Sequence, residues 1–582
     1  MPNVVAIKEQ MAAAVSAAMS ASLPAELAGA DPLVRRSEHA DFQANAPLAV
    51  AKKVRRAPRD VAADLVAGLG DDLGAEVSGP GFVNLTVPDR AILENVSARL
   101  ADGRLGVSRP RGGERVVVDY SAPNVAKEMH VGHLRSSIIG DTITRVLDHL
   151  GAVVVRQNHV GDWGTQFGML IQHLDEHPDV PWRGEGSISA LDALYRQARK
   201  EFEADAGFAD RARERVVALQ AGDEQTLAAW RELVTESEKA FEAIYRRLGI
   251  LLTHEDFDGE SRYNRELPGV VDELLALGVA TESEGAVVTF TEGITGPDGD
   301  PVPLIVRKKD GGFPYAATDL ATIRLRVDEY KADRILYVVD ARQALHFRMV
   351  FDAARRAGWL PERVDARHVP FGTVLGKDGR PFKTRSGDTV RLSDLLDEAV
   401  SRAHEVLAER AGDRAGEIKP AELDAIATAA GIGAVKYADL SNTRTKDYVF
   451  DVDQMVTFNG NTGVYLQYAH ARVRSILRKA AQETTGAVDT ARGLEPAERA
   501  LALTLDEFEE TLRDVAETLE PHRLCTYLFS LARAYTDFYE SCPVLRAEDP
   551  AVRANRLAFC ELTGRTLAAG LEFLGIEAPE RM

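Results

Sequence analysis

Two valine triplets, Val116-Val117-Val118 and Val153-Val154-Val155, bracket one helix-patterned segment. Such β-branched runs suit strands buried on both faces. Between them, Leu134, Ile138, Ile139, Ile143, Val146, Leu147 and Leu150 recur at the helical period, so about Val131 to Leu150 reads as a helix with one apolar face. Gly151 is a natural stop, because the left-handed position just past a helix end suits glycine. Strand, helix and strand at this spacing make a right-handed crossover between parallel strands. The fold class is therefore α/β, built on a parallel sheet.

The chemistry gathers where the first strand meets the helix. His130, Gly132 and His133 fall at the helix start. Unpaired backbone N–H groups there attract anions, phosphate above all. The two histidines are three apart and share a side, and Gly132 leaves room for a flat group against the backbone. The preceding loop carries Asp119, Asn124 and Lys127. No third ligand at metal-site spacing accompanies the histidines, so no resident metal is expected. Cys525, Cys542 and Cys560 are odd in number and share no CxxC spacing, which favours a reducing cytosol over disulfides or zinc.

HVGH after a strand resembles the "HIGH" motif of class I aminoacyl-tRNA synthetases. The longer string SAPNVAKEMHVGHLRSSIIGD, followed by GDWGTQFG, resembles the arginyl-tRNA synthetase family in particular. The likeness extends over nearly the whole chain. It implies an arginine–tRNA ligase acting through an arginyl-adenylate in cytoplasmic translation, with ATP as substrate, Mg²⁺ on the nucleotide, and L-arginine and tRNA(Arg) as partners. It implies a Rossmann-like catalytic domain at 111–400 with a helical insertion at about 170–300. An N-terminal α+β domain at 1–106 would touch the outer corner of tRNA. A connecting helical region at 401–459 and an all-α anticodon-binding bundle at 460–582 would follow. A monomer is expected. The rivals are a tRNA-binding paralogue without catalysis and a duplicate synthetase serving a specialised pathway.

The resemblance assigns roles residue by residue. His130, Gly132, His133, Lys127 and Lys383 would hold ATP. His130, His133, Lys127, Lys383 and Arg385 would serve the reaction. Lys383 and Arg385 lie in FKTRSG, which takes the place of the mobile "KMSKS" loop but lacks its second lysine; Lys127 would compensate. Asp119, Asn124, Tyr315, Asp319 and Gln343 would form the arginine pocket, with Asp119 and Asn124 at the α-amino end. The residues themselves support part of this. A guanidinium wants a carboxylate that accepts two parallel N–H bonds, and Asp319 shares a helix face with Tyr315 four residues earlier. Gln343 follows ILYVVD (335–340), where a doubly wound sheet places ligand contacts. GESRYN (259–264), inside the insertion, carries only a weak signal of substrate contact.

Elsewhere the patterns predict an N-terminal helix at Val5–Ser20 and a basic cluster (Lys52, Lys53, Arg55, Arg56) leading into a helix from about Pro58. A strand at Leu304–Val306 resumes the main sheet, a helix follows at Tyr315–Arg326, and a further strand at 369–375 leads into the FKTRSG loop. Phe82 and Asn84, after a GPG turn, are tRNA contacts by resemblance. Near the C-terminus, Tyr465 and Tyr468 interleave with Arg472, Arg474, Arg478 and Lys479, a pattern that suits a splayed single-stranded loop. Three more helices follow, and Tyr468, Arg472 and Met582 are the candidate anticodon contacts.

Bulk properties add little. A chain of 582 residues is too long for one core. Its net charge of −20 disfavours nucleic acid only weakly, because phosphate binding is a local matter. No apolar run approaches the ~20 residues of a membrane span, and a secretory signal is not expected.

Overall fold

The computed structural model describes residues 4–70, 73–183, 187–382, 390–411, 419–480 and 487–582. Its organising sheet is parallel and four-stranded, in the order Asp365–His368, Arg334–Tyr337, Arg115–Asp119, Val153–Gln157. Alternation splits its two faces. Val116, Val118 and Leu336 join the large core around the helix Val131–His149. Val117, Ile335 and Tyr337 join a second core with the helices Tyr315–Asp328 and Ala344–Arg356. The result is a three-layer α/β domain of the doubly wound kind.

The Val131–His149 helix departs from the amphipathic reading. Arg135, Ser136, Ser137, Asp141, Thr142 and Thr144 are buried along with its apolar stripe. The helices Leu392–Ala411, Pro420–Leu440, Phe508–Thr518 and Pro550–Phe573 pack against it on the sides away from the sheet. Several of these polar residues are paired inside: Arg135 Nε lies 3.0 Å from Asp439 Oδ2, and both side chains are buried. Gly151 takes φ +97°, as expected just beyond the helix.

Three other expectations need correction. The strand around Leu304–Val306, at Pro301–Arg307, does not join the parallel sheet. It pairs antiparallel with Ala286–Thr295, which also pairs with Thr281–Ser283. Leu304 and Val306 are buried while their neighbours are exposed or half-buried, the one-sided pattern of an antiparallel sheet. The insertion is thus helical only as far as Ala276. Of the strand expected at 369–375 only Val374–Leu375 forms, pairing with Tyr448–Val449, and the strand that edges the parallel sheet lies before it at Asp365–His368. The basic cluster does lead into a helix, Pro58–Leu69, and Lys52 and Lys53 themselves end the helix Ala46–Val54, the favourable end for cations. Among the described residues four helices, not three, follow Gly463–Ala480, because the segment 496–518 breaks at Glu507.

The N-terminal region has helices at Ile7–Ser22 and Pro58–Leu69 and a four-stranded antiparallel sheet. It braces the C-terminal bundle: Arg99 donates to Asp506 Oδ1 at 2.7 Å in a fully buried pair, the Ile7 N–H donates to Asp506 Oδ2 at 2.8 Å, and Arg499 reaches Asp41 and Asp89.

Candidate active site

His130 is the N-cap of the central helix, and the first-turn N–H groups already have partners. The Gly132 N–H donates to His130 Nδ1 at 3.0 Å, and the His130 N–H donates to His133 Nδ1 at 3.1 Å. The Val131 N–H donates to Val390 O and the His133 N–H to His130 O. The expectation of unpaired backbone N–H groups is therefore corrected. The first turn is capped, and the donors it offers are imidazole, not peptide. Gly132 is also explained differently. A Cβ there would lie 2.8 Å from His130 Cε1, so the glycine admits the folded-back His130 ring.

This capping fixes the chemistry of both rings. Each Nδ1 accepts, so each neutral ring carries its proton on Nε2. Burial lowers the His133 pKa to about 3, helped by the charges of His130 and Lys127. Burial, Arg342 and Lys127 lower that of His130. The rings sit 3.9 Å apart between centroids. The pair is thus two neutral Nε2–H donors side by side, suited to phosphate oxygens. Lys127 lies close enough for its charge to reach both, and its Nζ rests 4.7 Å from the Tyr195 ring centre. Lys383 and Arg385 lie outside the described residues. The chain that follows them pairs directly with the motif: Arg391 bridges to His130, and the Leu392 N–H donates to Met129 O.

The loop leading to the motif is strained and held from outside. Ser121, Ala122 and Ala126 all have positive φ, a conformation unfavourable by ~1 kcal/mol or more for each non-glycine residue. Their N–H groups are captured by Ser136 Oγ, Asn158 Oδ1 and Ser237 Oγ, at 2.8–3.0 Å. Asn124, in the same loop, bridges to Gly161, where a Cβ would meet its Oδ1 at 2.6 Å. The HVGH and GDWGTQ segments therefore close on each other at Asn124.

Across the sheet, register aligns His368, Tyr337, Asp119 and Gln157 in one row at the carboxyl ends of the strands. Arg326, fully buried, spans three of them. It donates to Asp119 Oδ2 at 2.7 Å and to Gln157 Oε1 at 2.6 Å, and its guanidinium lies 4.8 Å from the Tyr337 ring centre. Two turns earlier on the same helix stands Asp319, whose Oδ2 is 2.6 Å from His346 Nε2. Tyr315 opens that helix and is 67% exposed, on the solvent side of Asp319. Gln343, in a short turn before the next helix, is exposed.

Two residues missed as site members complete this basin. Burial alone would lower the His159 pKa, but Asp258, 3.5 Å away, and the charges of Asp119 and Asp319 raise it to about 9. Burial raises the Glu260 carboxyl to about 8, with Asp162 and Asp319 adding to the shift and His159 opposing it. Asp162 holds the Glu260 turn in place, accepting from the Ser261 N–H and hydroxyl at 2.8 and 2.6 Å. A Cβ on Gly259 would fall 2.2 Å from Asp162 Oδ2, which accounts for the glycine of GESRYN. The signal was present as GES, but only the fold brings it to the rim of the sheet. Asp119, Asp319 and Glu260 thus form an acidic basin with His159 among them. The element 341–356 connects the basin with the motif: His346 touches Asp319, and four residues earlier the charge of Arg342 is felt at His130.

The five remaining candidates lie away from the basin. Phe82 and Asn84 share the half-buried face of their strand, and Asn84 Oδ1 accepts from Gln43 at 2.9 Å. Tyr468 packs edge-on to Phe458 and under Arg410, Arg472 lies over Tyr539, and Met582 packs against the bundle core. Arg474 and Arg478, read as cations available to phosphate, instead engage Glu580, Arg474 Nε at 2.9 Å and Arg478 through the backbone carbonyl at 2.8 Å.

Three family models match in succession: an arginyl tRNA synthetase N-terminal domain at 6–87, a class I (R) tRNA synthetase catalytic domain at 95–452, and a DALR anticodon-binding domain at 466–582. An arginine–tRNA ligase of Frankia casuarinae is 64% identical over 98% of both chains, and one of Streptomyces coelicolor is 52% identical over the whole of both. The crystal structure of the Plasmodium falciparum arginyl-tRNA synthetase superposes with a TM-score of 0.82 at 27% identity, covering 99% of each chain. The Thermus thermophilus arginyl-tRNA synthetase gives 0.80 at 27% identity, covering 99% of this chain and all of the other.

Proposed function

The chain belongs to the arginyl-tRNA synthetase family, and on that premise we propose how its residues join L-arginine to tRNA(Arg). The enzyme is a class I ligase that uses ATP. The arginine carboxylate attacks the α-phosphorus and pyrophosphate leaves. A terminal hydroxyl of the tRNA then takes the arginyl group and AMP is released. Such chemistry needs in-line positioning and charge neutralisation more than a protein nucleophile.

The observation that carries the assignment of roles is the basin of Asp119, Asp319 and Glu260 beside two neutral imidazoles. Asp319 receives the guanidinium, with Glu260 as a second acceptor and Tyr315 closing over it. Asp119 and Asn124 receive the α-amino group, and Gln343 lines the mouth. His130 and His133 donate from Nε2 to phosphate oxygens as charge shifts, over Gly132, with Lys127, Lys383 and Arg385 supplying positive charge. ATP arrives with Mg²⁺, an ion that keeps mostly phosphate and water oxygens.

The division of labour follows the chain. Residues 1–106 take the outer corner of tRNA, with Phe82 and Asn84 as contacts. Residues 111–400, with the insertion at about 170–300, do the chemistry. Residues 401–459 lie along the stem, and 460–582 read the anticodon through Tyr468, Arg472 and Met582. The working form is a cytoplasmic monomer. Among the described residues no helix is long and apolar enough to cross a membrane.

Pyrophosphate exchange measured across the amino acids, with and without tRNA(Arg), tests the basin. Arginine alone should support exchange. Comparable exchange with lysine would remove the carboxylates from guanidinium recognition, because buried acceptors left unpaired should reject lysine by ~10⁴.

A further inference from the structure

In the insertion, the helices Thr165–Glu176 and Ser187–Ala204 meet at three metal-competent side chains. His173 Nδ1 lies 2.6 Å from Glu201 Oε2, and His177 Nε2 lies 3.3 Å from the same oxygen. One donor atom from each of the three falls within 4.8 Å of the others. His173 and His177 are four apart at the helix end, which turns both rings to one side. His173 is 5% exposed and turns its Nδ1 to Glu201, while His177 is open to solvent. A buried imidazole, an accessible one and a carboxylate on a facing helix form a mixed N/O set that leaves a fourth position to water.

We propose that His173, His177 and Glu201 bind a zinc ion. Two imidazoles and one carboxylate are a donor set zinc accepts, whereas Mg²⁺ and Ca²⁺ prefer oxygen throughout. With bonds of about 2.0–2.1 Å, tetrahedral donors stand about 3.3 Å apart. The His177–Glu201 separation already matches, and the His173–Glu201 contact opens by about 0.7 Å as zinc replaces the shared proton. The ion would lock the helix whose Tyr195 ring supports Lys127. The sequence conceals the set because its third donor comes from a separate helix.

The test uses the full-length chain, stripped of metal and titrated with Zn²⁺ by calorimetry and with Co²⁺ by visible absorption. One equivalent should bind, with a four-coordinate cobalt spectrum and a raised Tm. His177→Ala and Glu201→Gln should each weaken binding at least tenfold while leaving the far-UV circular dichroism unchanged. Absence of saturable binding, a six-coordinate cobalt spectrum, or an equivalent retained in both variants would overturn the proposal.

Discussion

His346 Nε2 lies 2.6 Å from Asp319 Oδ2, so the acid assigned to the guanidinium already holds one hydrogen bond from a neighbouring helix. The carboxylate is thereby oriented before substrate arrives, and its other oxygen is left to the incoming cation. Replacing Asp319 by Ala should raise the KM for arginine ~100-fold or more and leave that for ATP within about threefold, the loss expected for a charged hydrogen-bond partner. His346→Ala should cost roughly tenfold, because it frees the carboxylate without removing it. A near-normal arginine KM in Asp319→Ala would remove that residue from the pocket.

Glu260 predicts a pH effect of definite sign. Its carboxyl is raised from 4.5 to about 8, so the empty site holds it protonated at neutral pH. A bound guanidinium favours the ionised form. Arginine should therefore bind more tightly as pH rises from 6 towards 8.5 and release a proton below pH 8. Calorimetry in buffers of different ionisation enthalpy reads this directly, and Glu260→Gln should abolish it. In the empty enzyme the same group works against stability: the folded state holds the extra proton, so stability falls between pH 4.5 and 8.

The HVGH pair predicts the opposite, a missing titration. With His133 lowered to about 3, its ring should gain no charge near neutrality, and His130 is shifted in the same direction. The single-turnover rate of adenylate formation should show no limb from His133 near pH 6.5. His133→Ala should lower that rate ~10²–10³-fold, as for loss of a transition-state donor, and an unchanged rate would dismiss the role. Gly132→Ala, which would crowd the His130 ring, should lower the same rate although both imidazoles are retained.

Arg326 is predicted to matter through Asp119. Arg326→Met leaves a buried carboxylate without its partner and should destabilise the chain by ~3–5 kcal/mol. Adding Asp119→Asn to that variant should restore much of the Tm while arginine affinity stays low. A Tm loss in the double variant as large as in the single would mean that the guanidinium acts mainly by packing.

The parallel crossover, the helix stop at Gly151 and the shared face of Tyr315 and Asp319 were legible because each is a local, periodic pattern. The motif's capping was not. That His130 and His133 would turn their Nδ1 atoms onto their own backbone depends on the loop conformation, which is fixed by Ser136, Asn158 and Ser237 from three other elements. The strand at Pro301–Arg307 was recognised as a strand but given the wrong partners, since β-branched runs record burial and not neighbours.

Sequence alone determined the family and the order of the three regions, because motif spacing and periodicity are properties of a chain. Tertiary structure decided their protonation. The neutrality of His133, the proton on Glu260 and the charge on His159 arise from burial among groups far apart in the chain. Electrostatic energy depends on distance and solvent exclusion in space, and linear order records neither.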